Sequence, residues 1–160
     1  MSTSLHIDNT LTKAERYRAL VPQIQSLIAG ETNLVANLAN VSAALKESFD
    51  FWWVGFYLVD GDQLVLGPFQ GPVACTRLSR QRGVCAHAWV NKQTVIVPDV
   101  DAFPGHIACS SASKSEIVVP LFGADGEVWG VLDVDSDKLN DFDNDDAAAL
   151  EEIVNLISRP

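Results

Sequence analysis

From Asn33 onward the apolar residues Leu34, Leu38, Val41, Leu45 and Phe49 recur every three or four positions, which predicts an amphipathic helix with one buried face. An earlier helix is predicted by Thr12-Lys13-Ala14-Glu15, a capping box in which threonine and glutamate each cover a free backbone donor. It should stop near Gly30 and kink at Pro22. The pattern then changes period. Phe51 to Phe69 is aromatic and β-branched on both sides of Asp60-Gly61-Asp62, which predicts a hairpin. A second hairpin is predicted by Glu116 to Leu121, the turn Ala124-Asp125-Gly126 and the run Val128 to Val134. Between them Cys85 to Asn91 reads as a short helix and Thr94 to Val97 as a short strand, while Pro98 to Ser115 reads as a long loop. Asn144 can cap a last helix with Asp145 and Asp146 in its first turn and Leu150, Ile153, Val154 and Ile157 facing inward. Helices, hairpins and a closing helix make the fold class α+β.

The chain has 160 residues, 48% apolar and 20% charged, enough to bury one core and too apolar for disorder. Its formal net charge of −10 would repel a phosphate backbone or an anionic membrane surface, so nucleic acid and membrane are not expected partners. No apolar run reaches the roughly 20 residues that cross a bilayer, and MSTSLHIDNT lacks the halves of a signal peptide. Three cysteines, an odd number, fit a reducing compartment better than a secreted disulfide framework. The expected location is the cytoplasm.

The cysteines are spaced C-x9-C-x23-C, which matches no common zinc pattern, and His87 and His106 would have to come from separate segments. No metal and no organic cofactor is expected. Taken singly, each cysteine reads as a small buried hydrophobe. Their neighbourhoods argue otherwise. Cys85 opens a short helix, where free amides favour thiolate; Cys109 lies in a polar loop with Lys114 nearby; Cys75 precedes Arg77 and Arg80.

A second cluster is acidic. Asp133 and Asp135 in GVLDVDSD point to one face of a strand, and Glu116 begins its partner. Carboxylates on a buried sheet need cationic or hydrogen-bonding partners or titrate upward, and such a group suits an ammonium ion. A solubilising rim or turn caps would use the same residues. In FWWVGFY, Trp52 and Phe56 read as packing, whereas Trp53 and Tyr57 share the opposite face and offer aromatic walls with polar tips.

Taken together, FWWVGFYLV, GPFQGPVACTRLSRQRGVCAHAW, DVDAFPGHIACSSASKSEIVVP and GVLDVDS resemble the free methionine-(R)-sulfoxide reductases, a GAF-domain branch of the methionine sulfoxide reductases. The resemblance implies a single GAF domain over residues 1–160, with a central antiparallel sheet of about six strands and a flexible leading segment, 1–11. It also implies that Cys109 attacks the sulfoxide sulfur, that Cys75 resolves the sulfenic acid as a disulfide, and that Cys85 has a catalytic or recycling role. Glu116, Asp133 and Asp135 would grip the amino group and polarise the sulfoxide, with Trp53 and Tyr57 around the methyl group.

The implied chemistry agrees with the residue inventory. A sulfoxide sulfur becomes electrophilic when its oxygen is protonated or strongly hydrogen-bonded, so a thiolate and nearby acids are needed. A second thiol then condenses with the sulfenic acid, and thioredoxin restores the dithiol. The implied partners are free methionine sulfoxide as substrate, thioredoxin as reductant and a second copy in a homodimer. Two other readings use the same residues: a GAF sensor that binds a small ligand without turnover, and a redox-responsive interaction module.

Overall fold

The computed structural model describes residues 4–107, 109 and 112–159. Four helices and six strands follow one another as α1 (Lys13–Ile28), α2 (Leu34–Phe49), β1 (Trp53–Asp60), β2 (Gln63–Gln70), β3 (Arg77–Ser79), α3 (Val84–Asn91), β4 (Val95–Val97), β5 (Ser115–Phe122), β6 (Val128–Ser136) and α4 (Asn144–Asn155). The strands form one antiparallel sheet in the order β3-β2-β1-β6-β5-β4. The expected α+β class and six-stranded sheet are what the chain adopts.

Local chemistry accounts for the helix boundaries. Thr12 and Glu15 form the expected capping box, α1 continues through Pro22, and Gly30 follows with φ +76°. Asn33 caps α2 by accepting from the Ala36 amide. The cap of α4 is Asp143 rather than Asn144, because Asp143 and Asp146 bond reciprocally to each other's amides. Asp146 is buried there and takes both the Tyr17 hydroxyl (2.6 Å) and Lys13 Nζ (2.7 Å), tying α4 to α1.

Strand alternation divides the sheet into two faces. Val54, Phe56, Ile117, Val119, Leu121, Leu132 and Val134 pack under α1, α2 and α4 in the larger core. Trp53, Tyr57, Val118 and Val131 face the other way, where α3, β3 and the loops form a second core. Leu5 packs against the larger core, and His6 exchanges hydrogen bonds with Gln23 of α1. Residues 1–3 of the leading segment lie outside the described residues.

Sequence periodicity missed β3 because three residues complete barely one alternation; it exists by pairing Arg77, Leu78 and Ser79 with Val65, Leu64 and Gln63. The loop from Pro98 contains a single 3-10 turn at Val100–Ala102. Among the described residues no helix is long and apolar enough to cross a membrane.

Candidate active site

Three adjacent strands deliver the site. Across the sheet Trp53 pairs with Asp135 and Asp135 with Glu116, while Gly55 pairs with Asp133 and Asp133 with Val118. Directly paired residues share a face, so the three carboxylates and Trp53 converge on the side away from α1, α2 and α4. Tyr57 follows two residues later on the same side, its ring 5.9 Å from that of Trp53.

Two glycines shape this corner. A Cβ on Gly55 would lie 2.3 Å from the Phe69 Cβ, so its absence lets β2 come close and Phe69 stack on Trp53 at 5.2 Å. Gly71 has φ +138°, and a Cβ there would fall 2.7 Å from the Trp53 ring. The chain then turns back over the aromatic pair: Trp53 Nε1 donates to the Pro72 carbonyl (3.1 Å) and the Tyr57 hydroxyl to the Cys75 carbonyl (2.8 Å). The polar tips of Trp53 and Tyr57 are therefore spent on the loop that carries Cys75.

That loop meets the segment after Pro98. Cys75 and Cys109 are joined as a disulfide with their Cα atoms 5.5 Å apart. Below it lies a cleft of about 650 Å³, counted out to its open mouth, whose walls include Trp53, Tyr57, Cys85, Cys109, Glu116, Asp133 and Asp135. Every residue expected of the site thus lines the cleft or, in the case of Cys75, is bonded to one that does. Ala108, Ser110 and Ser111 beside Cys109 lie outside the described residues.

Electrostatics in the cleft are dominated by burial. Loss of water raises Glu116 and Asp135 well above the ordinary carboxylate range, and the charge of Asp133 adds to this; Asp133 itself is raised by burial. Three acids this close do not all ionise in a dry pocket, so the site stores protons. Ser113 Oγ donates to Asp135 (3.3 Å), and His106 Nε2 stands 3.9 Å from Glu116 Oε1. Asp133 lies close beside Glu116 and Cys85, and its Oδ1 is buried with no hydrogen-bond partner among the described residues.

Cys85 differs from its sequence reading. It is the second residue of α3 but lies buried in the second core, where desolvation and the charges of Asp133 and Glu116 push its thiol well above the usual range. The helix terminus does not offset this, and Cys85 is a protonated thiol beside Asp133 rather than a thiolate. Its sulfur and one oxygen each of Glu116 and Asp133 lie within 4.8 Å of one another, although no spacing motif announces the group.

The arginines also move from their expected places. Arg77 reaches Gln63 and Asp60, and Arg80 stacks over Trp89, so neither is committed to Cys75. Arg82 lines the cleft instead, as does Trp52, which reads as packing in the sequence. Arg82, His106 and Ser113 carry no periodic signal; their one sequence cue is position, within a few residues of Cys85 or Cys109.

The GAF domain family model matches residues 32–159. A free methionine-R-sulfoxide reductase of Escherichia coli is 46% identical over 145 residues, covering 90% of this chain and 87% of that protein. The chain belongs to the GAF-domain free methionine-R-sulfoxide reductase family. GAF domain-containing protein A of Dictyostelium discoideum is 62% identical over 91% of this chain and 92% of its own. Among solved structures, free methionine-R-sulfoxide reductase from Neisseria meningitidis in complex with its substrate superposes with a TM-score of 0.94 at 56% identity, covering 98% of this chain and 93% of that one.

Proposed function

We propose that this chain reduces free L-methionine (R)-S-oxide to L-methionine at the cleft beneath the Cys75–Cys109 bond. The observation that carries this reading is the convergence of a bondable cysteine pair with three buried acids and an aromatic wall in one opening. With the dithiol reduced, Cys109 attacks the sulfoxide sulfur while the acids protonate its oxygen; the substrate S–O bond breaks as that oxygen passes to the Cys109 sulfur, giving methionine and a Cys109 sulfenic acid. Cys75 then displaces water from the sulfenic acid, and the disulfide closes. An external dithiol, thioredoxin in the simplest case, opens it by exchange, receiving the disulfide and returning two thiols.

Raised carboxyl pKa values suit this role, because a protonated acid can donate to the sulfoxide oxygen where an ionised one cannot. The orphan Oδ1 of Asp133 suits the α-ammonium of a free amino acid, a charge that a residue within a protein does not carry. Arg82 at the cleft and the exposed Cys109 leave the mouth open to the small substrate and to the reductant.

A GAF sensor would need no cysteine pair, and a redox switch would need no acid-lined cleft. The test is thioredoxin-coupled loss of free methionine (R)-sulfoxide by purified protein, with the S epimer and a peptide-bound sulfoxide as comparators. Turnover confined to the free R form, abolished by Cys109→Ser in a folded protein, supports the proposal. Equal turnover of the peptide-bound sulfoxide defeats the ammonium argument, and binding without turnover returns the chain to the sensor reading.

A further inference from the structure

The ligand atoms of Cys85, Glu116 and Asp133 form one compact group, a sulfur and two carboxylate oxygens within 4.8 Å of one another, on three buried residues. A tetrahedral zinc ion with bonds of about 2.0–2.3 Å holds its ligands roughly 3.3–3.8 Å apart, so these side chains need close by only about 1 Å. His106 Nε2 is 3.9 Å from Glu116 Oε1 but lies outside this close group. Independently, Asp133 is 6% exposed and its Oδ1 has no hydrogen-bond partner among the described residues, so one member of the group carries a buried oxygen left unsatisfied.

We propose that Cys85, Glu116 and Asp133 bind a zinc-type divalent cation that competes with the substrate for the cleft. A sulfur beside carboxylate oxygens selects a borderline-soft ion; magnesium and calcium prefer all-oxygen sites. Binding releases the Cys85 thiol proton and any proton held by Glu116 or Asp133 to buffer and forms one metal–sulfur and two metal–oxygen bonds, with no change in oxidation state. The ion occupies the acids that the proposed function assigns to the substrate, so the competition rests on that reading, whereas metal binding rests on the ligand geometry alone. Such an ion would switch the cleft off without touching the Cys75–Cys109 pair.

The test begins with the disulfide form of the full chain, in which Cys85 is the remaining thiol. Titration with Co²⁺ should give one equivalent of tight binding and a thiolate-to-cobalt absorption band in the near ultraviolet that Zn²⁺ abolishes. Cys85→Ser should lose the band, and Asp133→Asn should weaken binding at least tenfold, with circular dichroism verifying the fold of each; if Asp133→Asn does not fold, Glu116→Gln takes its place. Absence of the band, or its persistence in Cys85→Ser, overturns the site. Competition is read on the Cys75→Ser, Cys109→Ser double variant, where free methionine (R)-sulfoxide should raise the apparent Co²⁺ dissociation constant in proportion to its concentration. A cobalt affinity indifferent to saturating sulfoxide overturns the competition. A wild-type protein that binds cobalt through Cys85 yet reduces no sulfoxide would sink the proposed function and leave the metal site standing.

Discussion

The hydroxyl of Tyr57, on the second face of β1, donates to the backbone carbonyl of Cys75 at 2.8 Å, so an aromatic residue of the sheet holds one end of the disulfide in place. The ring is buried, and desolvation first, then the charges of Asp133, Cys85, Asp135 and Glu116, push the phenol far above its ordinary range, so it remains a donor at any working pH. Tyr57→Phe keeps the wall and removes the tether. Losing one such bond costs about 1 kcal/mol, roughly fivefold to tenfold in rate. We expect that loss in kcat, with KM for the sulfoxide within about twofold, because loop placement is needed for disulfide closure more than for binding. Steady-state kinetics check this, and a raised KM at unchanged kcat would contradict it.

The two other cysteines should differ sharply as partners of Cys109. Cys75 is bonded to it, whereas Cys85 is buried, protonated and packed beside Asp133. Cys75→Ser should therefore still give a single turnover, about one methionine per protein, and then stop with Cys109 as a trappable sulfenic acid. In Cys85→Ser the Cys75–Cys109 disulfide should still form. Quenched-flow counting of methionine and mass measurement of the trapped adduct decide between them. Continued turnover by Cys75→Ser would mean that Cys85 can resolve the intermediate.

How much of this was legible before folding depends on range. The capping box at Thr12, the α2 stripe from Leu34 to Phe49 and both hairpins are local patterns, and each forms as read. Asp133 and Asp135 share a face because a strand alternates, which is also local. Trp52, Arg82, His106 and Ser113 reach the cleft through loop paths and cross-strand register, which no period encodes. Cys85 shows the clearest limit: its helix position is visible in the sequence, but the acids that surround it come from β5 and β6, and they reverse the expected sign of its ionisation.

Stability should fall as pH rises, opposite to the usual behaviour of paired carboxylates. Glu116 and Asp135 titrate well above the ordinary range in the fold because burial disfavours their charged forms. The native state therefore keeps protons that the unfolded chain has released, and stability declines from the ordinary carboxylate range upward until the raised values are passed. Below that range both states are protonated and the effect vanishes. Glu116→Gln removes one of these groups and should flatten the decline, adding about 1 kcal/mol, or roughly 2–4 °C in Tm, near pH 8. Melting curves at pH 5 and pH 8 test this, and a variant less stable than wild type at pH 8 would refute it. Turnover should drop in the same variant, since the group that costs stability is the one assigned to the substrate.

Gly55 offers a purely steric test of the same corner. It has no special backbone angle; it is glycine because Phe69 crosses directly over it, with the Phe69 Cβ 2.3 Å and the Pro68 carbonyl oxygen 2.9 Å from where a Cβ would stand. Those neighbours are backbone or the root of a side chain, so neither can swing away. Gly55→Ala must push β2 from β1 and unstack Phe69 from Trp53, an overpacking that costs about 1–3 kcal/mol. Because Trp53 also holds the Pro72 carbonyl, the displacement passes to the loop that bears Cys75. The expected result is a Tm several degrees lower together with slower disulfide closure, read by thiol counting after a single turnover. Unchanged melting in Gly55→Ala would mean that β2 can withdraw freely, and the close approach of Phe69 would then not be what fixes the aromatic wall.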